Sequence, residues 1–347
     1  MILKLKQLAT VVAVASSLWA AGSAQAAGAY ITSGQITLGV NELGALNVDG
    51  GTGANPGASF GGVNTVGMRF NTNAGSYAST EPGCTCEGWG AAILSANVQG
   101  NQNTANNGTS GSNLTLVSFA STASTATSIV RIGTSLEITH AYKPSSQAGV
   151  YQVDVTIKNI SGVGISQGDL VYRRAMDWDI EPTPFSEFVT IQGVPGLLGI
   201  ANGSNLKAVG DNGFMTNDIL ADSTNYTIGC TGNVNFTDCG PQDHGAVFDF
   251  EFGAVAVNGE LKFTTYYGAA VTERDALANL AAVGAGIYSL GQSSGGEVTG
   301  SPATFYFGFG GAAGVLDPGG NDVPEPGSLA LAAVALLALA RSRRSKA

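Results

Sequence analysis

Two histidines, four cysteines and 15 basic residues in 347 positions leave the chain short of the groups that soft metals and phosphates require. Zinc sites are built from closely spaced cysteines and histidines. Cys84 and Cys86 flank a single residue, Cys230 and Cys239 stand far from them, and a zinc centre is accordingly disfavoured. The chain also lacks a long apolar run. Its most continuous one, Ser328 to Ala340, has 13 residues, roughly 20 Å of helix against a hydrocarbon core of about 30 Å. No repeat recurs at a fixed period, which argues against a solenoid. Glycine is abundant instead: 50 residues are spread through turn-like clusters without a period.

The two ends are organised differently from the middle. Lys4 and Lys6 precede the apolar stretch Leu8 to Ala21, and Ala24-Gln25-Ala26 follows. This is the pattern of a secretory signal peptide over residues 1–26, with cleavage expected after Ala26. At the other end, Val323-Pro324-Glu325-Pro326 leads into an Ala/Leu/Val run over residues 328–340, then Arg341, Arg343, Arg344 and Lys346. The prolines hold the approach extended, because the ring fixes φ and pushes the preceding residue out of the α region. The run that follows favours helix, and the basic end belongs on the cytoplasmic face of a membrane. A helix this short suits a temporary anchor cut near Pro324 to Pro326; a plain, uncleaved C-terminal anchor is the alternative.

Residues 323–347 resemble the PEP-CTERM sorting signal of Gram-negative bacteria. The resemblance implies an exosortase in the inner membrane and the secretion machinery as partners, with transient contact with that membrane. It further implies export to the cell surface or extracellular matrix of cells that make exopolysaccharide, which itself becomes a candidate ligand.

Six of the 15 basic residues lie in the terminal segments, but only Glu325 of the 25 acids does, leaving 9 basic against 24 acidic residues between them. A net charge near −15 repels nucleic acid and offers no basic footprint for phosphate. It is compatible with binding divalent cations, and calcium is the one cofactor the composition suggests.

Residues 27–322 read as a secreted all-β domain, a large antiparallel β-sandwich with one short helix. Tyr151, Val153, Val155 and Ile157 alternate with Gln152, Asp154, Thr156 and Lys158, the period of a half-buried strand. Similar alternation recurs at Leu136/Ile138/His140/Tyr142, Phe248/Phe250/Phe252 and Phe305/Phe307/Phe309, between Gly, Asn and Ser clusters. Thr272 is placed to cap a helix over 273–283, with Gly284 at its stop. Residues 100–112, rich in Asn, Gly and Thr, are a candidate loop or joint.

The densest chemistry is Leu170-Val-Tyr-Arg-Arg-Ala-Met-Asp-Trp-Asp-Ile-Glu181, closed by Pro182. On a strand, Asp177, Asp179 and Glu181 share one face with Arg173, while Arg174 falls among apolar residues. Three readings remain open: an ion-paired strand face, a calcium cluster and an acid pair for glycoside hydrolysis. A calcium site requires the strand to bend, and Pro182 and Pro184 offer a bend. In an exported chain the four cysteines, Cys84, Cys86, Cys230 and Cys239, read as disulfide candidates, with one or two bridges involving Cys230 and Cys239 favoured. Gly291-Gln-Ser-Ser-Gly295 matches the G-x-S-x-G string without the helix a nucleophile elbow needs. His140 reads as a buried structural histidine, and Asp243 is placed to orient His244. Trp89 reads as a core residue, with sugar stacking as the alternative.

No motif fixes a reaction. The expectation is a non-enzymatic exopolysaccharide or biofilm matrix component; an extracellular carbohydrate-active enzyme and a structural coat protein are the alternatives.

Overall fold

The computed structural model describes residues 28–46, 48–49, 65–80, 87–102, 112–194, 206–213, 218–220, 226–295 and 303–310. Its first strands are β1 (Gly28–Ser33), β2 (Ile36–Asn41), β3 (Val48–Asp49), β4 (Thr65–Val66), β5 (Met68–Thr72), β6 (Gly75–Ala78), β7 (Glu87–Ile93) and β8 (Val98–Gln102). Then come β9 (Leu114–Ser121), β10 (Ala126–Ile132), β11 (Leu136–Pro144), β12 (Val150–Asn159), β13 (Leu170–Asp177) and β14 (Glu187–Gln192). The rest are β15 (Leu206–Gly210), β16 (Phe236–Gln242), β17 (Gly245–Glu251), β18 (Glu260–Ala270), α1 (Glu273–Ala282), β19 (Ile287–Ser293) and β20 (Thr304–Gly310).

A nine-stranded sheet runs in the order β16-β14-β19-β20-β18-β12-β11-β10-β9, and a five-stranded sheet in the order β15-β17-β13-β7-β8. A four-stranded sheet, β1-β2-β5-β6, and the β3–β4 pair complete the described strands. The two large sheets are joined by aromatic contacts: Tyr172 of β13 meets Phe263 of β18 at 5.0 Å, and Phe248 of β17 meets Phe307 of β20 at 5.4 Å. Ile31, Ile36 and Leu38 of the four-stranded sheet extend the same apolar core. The all-β sandwich read from the sequence is the architecture found, and each buried Phe or Ile in it contributes about 1.5–3 kcal/mol.

The strands differ in how they are covered. β12 keeps the alternation expected of it: Tyr151, Val153, Val155 and Ile157 are buried and the residues between them half-buried. β13 is buried along its whole length, because the outer face of its sheet is covered as well. Ala175 and Val247 pack there with Ala208 and Tyr226, and Ala92 and Val171 pack with Ile219. The expected charged outer face of β13 is therefore interior.

The helix starts where its cap predicts. Thr272 Oγ1 accepts the amide of Asp275 at 3.2 Å, and Gly284 takes φ +71° just past the end, a conformation glycine adopts without steric cost. Ala276 and Leu280 face β18 and β20. Residues 100–102 belong to β8, and Asn101 bridges to Ser112; the remainder of the candidate joint lies outside the described residues. So do Ala24, Ala26, Cys84, Cys86 and the whole C-terminal segment.

Candidate functional site

Two connections cross between the large sheets at one end of the sandwich. One runs from the end of β13, at Asp177, to the start of β14, at Glu187; the other is the pair Asp243-His244 between β16 and β17. The first is fixed along its length. The Trp178 amide donates to His244 O at 3.0 Å, and its Nε1 to Ser289 Oγ at 3.1 Å. The Asp179 amide donates to Ser79 O at 2.8 Å, beside the end of β6. Gly291 of β19 is a glycine because a Cβ there would stand 2.5 Å from the Trp178 ring.

These connections gather acids. Asp177, Asp179 and Asp243 each place a carboxylate oxygen within 4.8 Å of the others'. Glu187 stands beside them and is fully buried, as are Asp177 and Asp179. Its Oε1 accepts the Ile180 amide at 3.1 Å, while Oε2, equally buried, has no hydrogen-bond partner; the same holds for Asp243 Oδ1. Asp179, Asp243 and Glu187 each act on Asp177 as a negative charge. Burial, then mutual repulsion, pushes the Asp177 carboxyl well above the ordinary range. Burial also drives Glu187 up to about 9, with Asp179 and Asp243 adding to it, and raises Asp243.

The sequence placed Glu181 in this group, but the structure sends it elsewhere: Glu181 Oε2 accepts the Ala78 amide at 2.9 Å. β13 ends at Asp177, so the strand alternation that put Glu181 on the face of Asp177 and Asp179 does not reach it. Glu187 and Asp243 were missed, since both lie beyond turns from β13. The Gly240-Pro-Gln-Asp-His-Gly245 stretch marked Asp243 only as a partner for His244.

That pairing is also different. His244 Nδ1 meets Asp211 Oδ2 at 2.8 Å, and Asp211 further accepts amides from Ile228, Gly229 and Cys230. Burial alone would raise the Asp211 carboxyl, but His244 and these amides outweigh it and hold it low. A disulfide joins Cys230 to Cys239 over a Cα separation of 6.1 Å, with Cys230 Sγ 4.0 Å from the His244 ring nitrogens. Ser293, in the G-x-S-x-G string, ends β19 and bonds Thr183 Oγ1 at 2.7 Å. Ser293, His244 and Asp243 thus form no relay.

Farther along β13 the buried charges are of both signs. Arg173 donates to both oxygens of Asp249, at 2.6 and 2.7 Å, and to Tyr226 Oη at 2.8 Å. Arg174, on the core side as its position implied, donates to Glu87 Oε1 at 2.5 Å and to Tyr142 Oη at 2.9 Å. Tyr267 Oη and the Leu46 amide also donate to Glu87, at 2.8 and 2.6 Å. His140 is buried at this node, its Nε2 3.0 Å from Tyr172 Oη; burial, then Arg174, lowers it well below the ordinary histidine value. Trp89 is fully buried beside His140 and donates to Leu43 O at 2.8 Å, so it is a core residue and presents no face to a sugar.

Against known proteins, residues 322–344 match the PEP-CTERM protein-sorting motif. No curated protein matches the chain. Among the described residues no helix is long and apolar enough to cross a membrane. The sorting motif supports a secreted chain processed by an exosortase, with a cell-surface or extracellular destination.

Proposed function

We propose that the chain is a non-enzymatic component of the cell surface or exopolysaccharide matrix. The observation that carries this reading is the sorting motif at 322–344. A second observation is consistent with it. Asp177 and Asp179, the acids the sequence offered for glycoside hydrolysis, are fully buried together with Glu187. A general acid must reach the glycosidic oxygen within hydrogen-bond distance, and a carboxyl sealed between two sheets does not. The chain as a whole is acidic and rich in glycine, which suits hydroxyl-bearing polymers rather than phosphates or nucleic acid.

The test is co-sedimentation of the purified protein with exopolysaccharide from the cells that produce it, with the supernatant assayed for released sugars. Pelleting without release is expected. Release of oligosaccharides would establish the enzyme alternative, and the absence of pelleting would leave a coat protein with no polysaccharide ligand.

A further inference from the structure

We propose that Asp177, Asp179, Asp243 and Glu187 form a calcium site that ties the two large sheets together where the chain crosses between them. The four carboxylates come from both sheets and from both crossing connections: Asp177 ends β13 of the five-stranded sheet and Glu187 begins β14 of the nine-stranded one. Asp179 lies on the first crossing and Asp243 on the second. Three of the acids converge within 4.8 Å. The fourth, Glu187, is an independent pointer to a ligand: its Oε2 is buried, without a hydrogen-bond partner, and within the field of the other three. Leaving a buried carboxylate oxygen unmatched costs about 1–3 kcal/mol or more, so an arrangement that does so twice, at Glu187 and Asp243, calls for a cation. Backbone closes the site on one side. A Cβ at Gly213 would fall 3.0 Å from Asp177 Oδ1, and one at Gly245 would fall 2.4 Å from Met176 O.

The donor set selects the ion. Four carboxylates with only oxygen to offer favour a hard cation over zinc or copper. Calcium accepts six to eight oxygens in irregular geometry, whereas magnesium keeps several waters in a strict octahedron. A set of four acids, three of them fully buried, drawn from two sheets and their crossings matches the first. The inference does not depend on the matrix role, because a structural ion would bind whether or not the surface holds a polymer.

The purified full chain, stripped with chelator, would be titrated with calcium by calorimetry and by thermal melting. Terbium would serve as a luminescent stand-in, since Trp178 lies between Asp177 and Asp179 in the chain and is an adjacent donor for sensitised emission. One saturable calcium per chain is expected, with a raised Tm and a terbium signal that calcium displaces. Asp243→Asn, on the half-buried connection, and Glu187→Gln should each weaken binding by about tenfold or more; Glu181→Gln should bind as the parent does. No saturable binding at millimolar calcium together with no sensitised terbium emission would overturn the proposal. So would binding that survives both Asp243→Asn and Glu187→Gln, which would put the ion elsewhere. The terbium signal needs no variant, so a substitution that fails to fold leaves the test intact.

Discussion

The two ends of β13 bury charge in opposite ways. At Arg173 and Arg174 each guanidinium has a carboxylate of its own, Asp249 and Glu87, and tyrosine hydroxyls complete the hydrogen bonding. A few residues on, Asp177 and Asp179 meet two further acids, and Asp179, Asp243 and Glu187 all push the Asp177 carboxyl upward. Moving an ion out of water costs several kcal/mol even after relaxation, and an opposite charge with good geometry offsets it. The arginine end supplies that partner from within the chain. At the acidic end Glu187 Oε2 and Asp243 Oδ1 are buried without a hydrogen-bond partner, and the proposed calcium would supply theirs from solution. A charge within one fold can thus be either a fixed part of the core or a place reserved for something from solution.

The contrast breaks most visibly if one negative charge is removed from each end. Glu87→Gln strands Arg174 in the core, and loss of about 3–5 kcal/mol of unfolding free energy is expected in urea titrations. Asp243→Asn, in chelator, removes a repulsion among the acids together with an attraction to His244, so stability should stay within about 1 kcal/mol of the parent. Equal losses from the two substitutions would mean that the acids are compensated in a way the arginine comparison misses.

Calcium sharpens the same comparison. A ligand at about 100 times its dissociation constant stabilises the folded state by about 2.7 kcal/mol. The parent should gain about that much on going from chelator to saturating calcium, and Asp243→Asn should gain far less. Glu87→Gln should keep the full increment, because its loss lies at the other end of the strand. Thermal or urea unfolding at fixed protein concentration reads all three.

How far these two ends were legible in the sequence follows from the same physics. Alternation along β11, β12, β13 and β17 is a local property, and it located the strands and the core side of His140 and Arg174 without the structure. The cap at Thr272 and the stop at Gly284 are local too. The partners are not. Glu87 stands at the start of β7, far from Arg174 in the sequence, and reaches it only because β7 pairs with β13. Asp243 and Glu187 reach Asp177 only because two crossings fall at the same end of the sandwich. Glu181 was misplaced because period-two alternation was carried past the point where the strand ends. Tertiary coverage also turned the outer face of β13 inward, which no pattern within β13 announces.

The disulfide gives the next effect in size. Cys230 and Cys239 close a loop with a sequence separation of 9, for which chain entropy suggests about 2.5 kcal/mol. It joins β16 to the segment carrying Cys230, next to His244 and hence next to Asp243. Reduction should therefore lower both global stability and calcium affinity, while leaving the increment lost on Glu87→Gln unchanged. Urea titrations with and without reductant, at two calcium concentrations, separate the two effects. A calcium affinity unchanged by reduction would show that Asp243 is held by the sheets alone.

The smallest effect belongs to His140, and its sign is fixed by linkage. In the folded chain its ring is buried next to Arg174, with Tyr172 on Nε2 and Glu87 across the same node, and its protonation is pushed well below the ordinary value of 6.5. In the unfolded chain it titrates near that ordinary value. Between the two, the unfolded state holds the extra proton, so stability rises with pH; it is fully present above about 6.5 and is lost as pH falls toward the folded value. By about pH 5.5 the loss from this one residue amounts to about 1.4 kcal/mol. Other groups take up protons on acidification, so the measurement is a difference: unfolding free energy of the parent and of His140→Gln at several pH values, both saturated with calcium. The parent should fall below the variant's trend by that amount on acidification. Parallel curves would mean that the ring takes up its proton in the folded core, and that the arginine end of β13 accommodates a second positive charge as readily as the acidic end accommodates a cation.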